Sequence, residues 1–156
     1  MCSIFVPIFV GTMGPEASRG DVKKGCGSFY FCRQNPEDDK SAFVDAKFDK
    51  IDISNGLEWS LDGKVMYYID SCTAKVEAFD FDTPNGNLTN RRTIFDLRKN
   101  GFDKGLPDGM TIDTRGHLWV AVFGGAVVSS LIENLKHNEM LDPLGQAWQG
   151  GSALAA

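Results

Sequence analysis

Apolar residues in this chain come in short alternating runs cut by glycines and acidic turns, a period-two pattern that predicts strands. Ile4 to Met13 reads as a buried strand, and Gly14 to Gly25, polar and glycine-punctuated, as a loop. Ser28 to Arg33 (SFYFCR) predicts a strand and Asn35 to Lys40 a charged turn. Ala42 to Ile53 holds one strand or two short ones, with Phe48, Ile51 and Ile53 on a shared face. Four more strands follow at Leu57 to Leu61, Val65 to Ile69, Val76 to Phe81 and Arg92 to Leu97, with turns at Asp62-Gly63 and Pro84-Asn85-Gly86. Asn100 to Leu106 is a polar loop, and Arg115-Gly116 turns a further hairpin. After Val127 the pattern changes. Leu131 to Leu141 (LIENLKHNEML) has helical spacing, and Gly145 to Ala156, rich in glycine and alanine, is expected to be disordered.

Two stretches of the pattern match each other without a gap. Asn55 to Ser71 (NGLEWSLDGKVMYYIDS) returns as Asp108 to Gly124 (DGMTIDTRGHLWVAVFG) at an offset of 53 residues. Asn55 falls on Asp108, Gly56 on Gly109, Leu57 on Met110, Trp59 on Ile112, Gly63 on Gly116, Val65 on Leu118 and Tyr67 on Val120. Each copy is an oxygen-bearing side chain, a glycine, an apolar strand, a tight turn and a second apolar strand. A repeat of this length made of short strands marks a β-propeller blade, and the four strands counted from Leu57 to Leu97 make one blade. A propeller closes with at least about four blades. At one blade per 53 residues, 156 residues hold fewer than three. The expectation is therefore an all-β fold: an incomplete propeller of two to three blades over residues 1–127, followed by a divergent, helical tail over residues 128–156. The turn that opens the first blade would fall before residue 1.

The net charge of −5, with 16 scattered Lys and Arg, argues against a nucleic-acid surface. The apolar run Ile4 to Val10 lacks a basic flank and a small-residue cleavage site and is broken by Pro7, so it is not read as a signal peptide. No stretch reaches the roughly 18 apolar residues of a membrane span. Cys2, Cys26, Cys32 and Cys72 form no C-x-x-C pair and fit no zinc spacing. A disulfide between Cys26 and Cys32 across a hairpin is weighed against reduced thiols in a cytoplasmic protein, the preferred reading.

The turns that open blades at one end of a propeller surround its axis, so oxygen ligands repeated there converge on one point. A hard divalent cation takes such carboxylate and amide oxygens. Asn55 and Asp108 stand at that position, but together they supply one negative charge, and a third ligand is needed. Both types also cap turns before glycine, so the residues alone leave capping and ligation open. Asp80, Asp82 and Asn85-Gly86 approach a calcium-loop pattern, but the glycine comes one place late and no Glu closes it. Asn87-Leu88-Thr89 matches a glycosylation acceptor without a secretory context. His117 and His137 have no metal-ligand spacing, and no G-x-S-x-G or P-loop occurs.

Ile53 to Ser71 (ISNGLEWSLDGKVMYYIDS) resembles the family of regucalcin (senescence marker protein), gluconolactonases and the insect luciferin-regenerating enzyme. So do VEAFDFD (Val76 to Asp82), GNLTNRR (Gly86 to Arg92), PDGMTID (Pro107 to Asp113), GHLWVAVFGG (Gly116 to Gly125) and GTMGPE (Gly11 to Glu16). The resemblance covers Phe9 to Val127 in family order. It implies a six-bladed propeller with one divalent metal ion on its axis (calcium, zinc, manganese or magnesium) and hydrolysis of a sugar lactone there. Of the family's metal ligands, the Asn of S-N-G matches Asn55 and the Asp of P-D-G matches Asp108. Asp108 is also the implied general base, and a substrate-contacting Glu matches Glu16. The family's first-blade Glu ligand has no counterpart here, nor do the Arg and Asn that contact substrate before the G-T-M strand. Three readings follow from the resemblance: a metal-dependent lactone hydrolase, a calcium-binding regulatory protein without turnover, and an inactive fragment.

Overall fold

In a computed structural model of the protein, residues 8–18, 21–35, 37–124, 127–132 and 139–141 are described. The first strands are β1 (Ile8–Gly11), β2 (Glu16–Ser18), β3 (Asp21–Val22), β4 (Gly27–Asn35) and β5 (Asp38–Ile51). They are followed by β6 (Ser54–Trp59), β7 (Val65–Asp70), β8 (Lys75–Asp82) and β9 (Asn87–Asp96). The last are β10 (Leu106–Ile112), β11 (His117–Phe123), β12 (Val127–Ile132) and β13 (Glu139–Leu141). Three antiparallel sheets succeed one another along the chain, in the orders β1-β4-β5, β6-β7-β8-β9 and β10-β11-β12-β13. The second and third are meanders in which neighbours in sequence are neighbours in space, as in a propeller blade; in the first, two further strands intervene between β1 and β4. The segment predicted as a loop from Gly14 to Gly25 contains the two-stranded ribbon β2-β3.

Two cores lie between the sheets. Phe29, Ile51, Met66, Tyr68 and Phe79 pack between the first and second sheets. The rings there are in close contact: Phe29 and Phe48 stack at 4.9 Å, Phe48 and Phe79 at 5.3 Å, and Phe29 meets Tyr68 edge-on at 5.0 Å. Tyr67, Ile69, Val76, Leu118, Val120 and Val122 belong to the second core, between the second and third sheets. The middle sheet is thus covered on both faces, and Met66 to Asp70 is a run of buried residues where a one-sided strand would alternate. Its one buried glutamate, Glu77, is paired by both forks of Arg91, with Nη2 2.6 Å from Oε2. The guanidinium lies over Phe48 at 5.3 Å and Phe79 at 5.6 Å, which ties the pair to the first core.

Three further sequence expectations change. The first concerns register. Trp59 pairs with Met66, but Ile112 pairs with Leu118, so the second-sheet hairpin is one residue longer. Ser60 closes on Val65 and Asp113 on His117, which locates the extra residue after the turn glycines. The strands β6 and β10 keep the offset of 53, whereas β11 answers β7 at 52: Leu118 stands where Met66 does and Val120 where Tyr68 does. A one-residue slip moves every side chain to the other face. The pairs Val65–Leu118 and Tyr67–Val120 are therefore not equivalent in space. The second concerns the alternation expected of Phe48, Ile51 and Ile53: Phe48 and Ile51 do share a core, but at an odd spacing, because β5 is bulged against β4 and Lys50 sits at φ 61°, while Ile53 lies beyond β5 and bridges Met13.

The third concerns the tail. Leu131 and Ile132 are in β12, and Glu139 to Leu141 form β13, so the helix expected over Leu131 to Leu141 gives way to strands. The backbone edge of β11 is the cause: it pairs with β12 from Val122–Val127 to His117–Ile132, and β13 then pairs Glu139 with Ser130. An open row of backbone donors and acceptors outweighs a weak local helical preference. Residues 133–138 and the segment from Gly145, predicted to be disordered, lie outside the described residues. Cys26, Cys32 and Cys72 are free thiols, so no disulfide joins the first two.

Candidate metal centre

The two N-G and D-G turns are β-bulges. Ser54 pairs with Asp70 and Leu57 with Tyr68, so Asn55 and Gly56 together oppose Ile69. Pro107 pairs with Val122 and Met110 with Val120, so Asp108 and Gly109 together oppose Ala121. A bulge bends its strand and re-aims the side chain it carries. The inner strands β6 and β10 lie side by side: a methyl placed on Gly56 would stand 2.8 Å from the Asp108 carbonyl oxygen and 2.9 Å from Met110 Cβ. Thr111 Oγ1 donates to Glu58 Oε2 at 3.4 Å, across 53 residues. The Gly56 contacts lie one residue to either side of that offset, at 52 and 54, so the two strands run parallel and level, which sets Asn55 and Asp108 at the same end of adjacent sheets.

A hydrogen-bond chain joins the two turns. Asn55 Nδ2 donates to Ser71 Oγ at 3.1 Å, and Ser71 Oγ donates to the Pro107 carbonyl at 2.7 Å. Ser71 is buried and opens the 3-10 turn Ser71–Thr73 that ends β7. The approach to Asn55 is held by Asp70, whose two carboxylate oxygens accept the Asp52 and Ile53 N–H groups, each at 3.0 Å. Tyr68 donates its hydroxyl to Ser54 Oγ at 2.9 Å. Burial pushes the Tyr68 hydroxyl up to about 12, against the Ser54 hydrogen bond and with the Asp70 charge, so it stays a donor.

With its amide nitrogen engaged by Ser71, Asn55 presents Oδ1 on the other side of the group. That oxygen accepts no hydrogen bond among the described residues, and neither does the half-buried Asp108 carboxylate. Two hard oxygen donors carried on neighbouring bulges, one of them charged, are of the chemical type that a calcium or magnesium ion takes as part of its ligand set. They do not complete one: no group of three or more His, Cys, Asp or Glu side chains suited to a metal occurs among the described residues. Glu16 lies apart from the pair in sequence and begins β2, exposed and opposite Val22. Met13 forms a bridge with Ile53, two residues from Asn55, so the chain leading to Glu16 leaves from this end of the sheets.

Comparison with known proteins agrees with this architecture. A family model described as the SMP-30/gluconolactonase/LRE-like region matches residues 7–141. The chain belongs to this family. Pig (Sus scrofa) regucalcin is 43% identical over 123 residues, 79% of this chain and 38% of its own. A luciferin-regenerating enzyme superposes with a TM-score of 0.69 at 35% identity, over 85% of this chain and 42% of that one. A calcium-binding protein, regucalcin, from Agrobacterium tumefaciens gives 0.63 at 25% identity, over 91% and 40%. The chain thus spans about two fifths of the length of the family members it matches, and its three sheets correspond to part of their six-bladed propeller.

Sequence reasoning did not single out Ser71, the residue that bridges the two family turns. It appears in the repeat only as the last letter of NGLEWSLDGKVMYYIDS, and its slip-corrected counterpart is Phe123, which is no hydroxyl. Asp113 was likewise passed over. It accepts N–H groups from Arg115 at 2.8 Å and His117 at 2.9 Å, Trp119 Nε1 at 3.2 Å, and lies 3.0 Å from His117 Nδ1. Burial acts to raise its pKa, but these hydrogen bonds and the His117 charge outweigh it and bring it down to about 2.

Proposed function

We propose that this chain carries part of a cation-dependent lactone-hydrolysing centre, with Asn55 and Asp108 as ligands of one divalent ion (calcium, zinc, manganese or magnesium) and a sugar lactone as substrate. The observation that carries the reading is the pair of bulged turns, level and adjacent, with oxygens left open by a Ser71 bridge, in a chain of the SMP-30/gluconolactonase/LRE-like family. A cation there supplies Lewis acidity to an ester carbonyl. Asp108 has no competing hydrogen bond among the described residues and serves as general base, taking a proton from the attacking water. The acyl C–O bond of the ring breaks, Asp108 returns the proton to the departing alkoxide, and the product is the open hydroxy acid. Glu16, exposed at the start of β2, orients the sugar hydroxyls as an acceptor.

A second reading, cation binding without turnover, is favoured by the single carboxylate of the pair. It also agrees with the calcium-binding description of the Agrobacterium relative. Calorimetric titration with calcium, manganese, zinc and magnesium, alongside pH-stat hydrolysis of gluconolactone, separates the two. Cation binding that is lost in Asp108→Ala and Asn55→Ala is expected under both, and only the first adds hydrolysis dependent on Asp108. Binding that survives both substitutions would remove the ligand assignment.

A further inference from the structure

The ribbon β2-β3 leaves the first sheet after β1 and returns to it at β4, and among the described residues its strands pair with each other alone. Its neck is tight. The Thr12 N–H donates to the Ser28 carbonyl at 2.9 Å and the Lys23 N–H to the Pro15 carbonyl at 3.0 Å. A methyl placed on Gly14 would collide with the Lys23 carbonyl and stand 3.1 Å from Cys26 Cβ. Both strands of the neck reach the same two residues, Asp52 and Ile53, just before β6. Met13 bridges Ile53 on one side, and on the other the Gly25 N–H donates to Asp52 Oδ1 at 2.6 Å. Asp52 and Ile53 are in turn held by the end of β7. Asp70 accepts both of their N–H groups, and the Ile53 carbonyl accepts the Ser71 N–H at 3.0 Å. Ser71 is the residue that engages the Asn55 amide. Hydrogen bonds therefore run in sequence from the neck of the ribbon that carries Glu16 to the turn that carries Asn55.

We propose that Asp52 is the positioning residue for Glu16. A ribbon held at one point can swing about it, and the bridge between Met13 and Ile53 is one such point. The half-buried Asp52 carboxylate supplies a second, on the opposite strand of the neck. The bond it accepts from Gly25 is short and its acceptor is charged, which makes it stronger than a bond between neutral groups. With both strands held, the direction in which the ribbon leaves the sheets is set, and with it the place of Glu16 relative to the end that carries Asn55 and Asp108. A displacement of about 1 Å in a group that contacts substrate can lower turnover by about a hundredfold. Asp52 thus acts on the sugar through Glu16, and not on the ion. The contact between Glu16 and a sugar hydroxyl rests on the function proposed above; the clasp between Gly25 and Asp52 rests on the hydrogen bonds alone.

Amide hydrogen exchange tests the clasp. Calorimetry with gluconolactam, a lactone isostere with an amide in place of the ester, tests the positioning at saturating calcium. Asp52→Ala should speed exchange of the Lys23 and Gly25 amides by about tenfold or more and leave the β7 amides unchanged. Its calcium affinity should stay within about twofold of the unsubstituted chain, while its lactam affinity falls by about tenfold. Glu16→Ala should lose lactam affinity to a similar degree, and the double variant should bind no more weakly than either single one. Asp52→Asn keeps an oxygen acceptor for the Gly25 N–H and should recover most of the exchange protection and of the lactam affinity. Unchanged exchange in Asp52→Ala overturns the clasp and the positioning role with it. Losses that multiply in the double variant, or an equal loss of calcium affinity, overturn the positioning through Glu16. Lactam binding that is indifferent to Glu16→Ala, or absent from the unsubstituted chain, overturns the substrate reading and the role of Asp52 in it; faster exchange in Asp52→Ala then supports the clasp alone.

Discussion

At the scale of single residues, the centre depends on which way one amide points. Ser71 decides it, by accepting from Asn55 Nδ2 and donating to the Pro107 carbonyl. Ser71→Ala should leave that buried carbonyl unpaired and lower stability by about 1–3 kcal/mol. By freeing the Asn55 amide to turn, it should also weaken cation binding by about tenfold or more. Ser71→Thr restores the hydroxyl and should recover most of the binding; calorimetry and thermal unfolding read the two effects separately. Asp113 gives a pH signature. Its folded-state pKa of about 2 lies below the ordinary 3.8, so it stabilises the fold fully above pH ~4 and loses that contribution as pH falls through about 2. The gap in urea midpoint between the native chain and Asp113→Ala should therefore be constant near neutrality and shrink below pH ~4. A gap that widens in acid would contradict this. The equivalent places of Asn55 and Asp108 were legible in the sequence because a repeat superposes them. Ser71 was not, because its partner Pro107 lies 36 residues away and no local pattern connects them.

Among elements, what the sequence conveyed well was alternation. The four strands expected between Leu57 and Leu97 are β6 to β9, within a few residues at their ends. What it conveyed poorly was anything set by a neighbour. One extra residue after Gly63 is invisible in a match of residue types, yet it turns β11 over relative to an ungapped reading. The heptad-like spacing of Leu131 and Leu135 suggested a helix because the waiting edge of β11 leaves no trace in the local sequence. The two bulge glycines show the same dependence. A side chain on Gly56 would collide with the Asp108 carbonyl of β10 and with Ile69 Cδ1 of β7, each at 2.8 Å; among the described residues nothing lies within 4 Å of the same position on Gly109. Gly56→Ala should cost about 1–3 kcal/mol through forced strand separation. Gly109→Ala, in an equal backbone role, should stay within about 0.5 kcal/mol. Urea unfolding of the two variants measures the difference, and equal losses would mean that bulge geometry, and not the neighbouring strand, selects glycine. Amide exchange should be slowest in β7, which has a packed sheet on each side; slower exchange in β1 or β13 would argue against the middle sheet as the stability centre.

For the molecule as a whole, the proposed function turns on how many oxygens reach the ion. Under that reading the described residues offer it one carboxylate, Asp108, and one amide oxygen, Asn55, and affinity for a hard cation rises with the charge of its ligand set. A lone chain should hold the ion orders of magnitude more weakly than a site with two carboxylates, and a lactone beside a poorly held ion is neither polarised nor fixed in place. The isolated monomer is therefore expected to hydrolyse gluconolactone barely above background. A pH-stat assay of gluconolactone at saturating calcium checks this. A rate well above background that is abolished by Asp108→Ala would show instead that the site is completed by a ligand from outside the residues described.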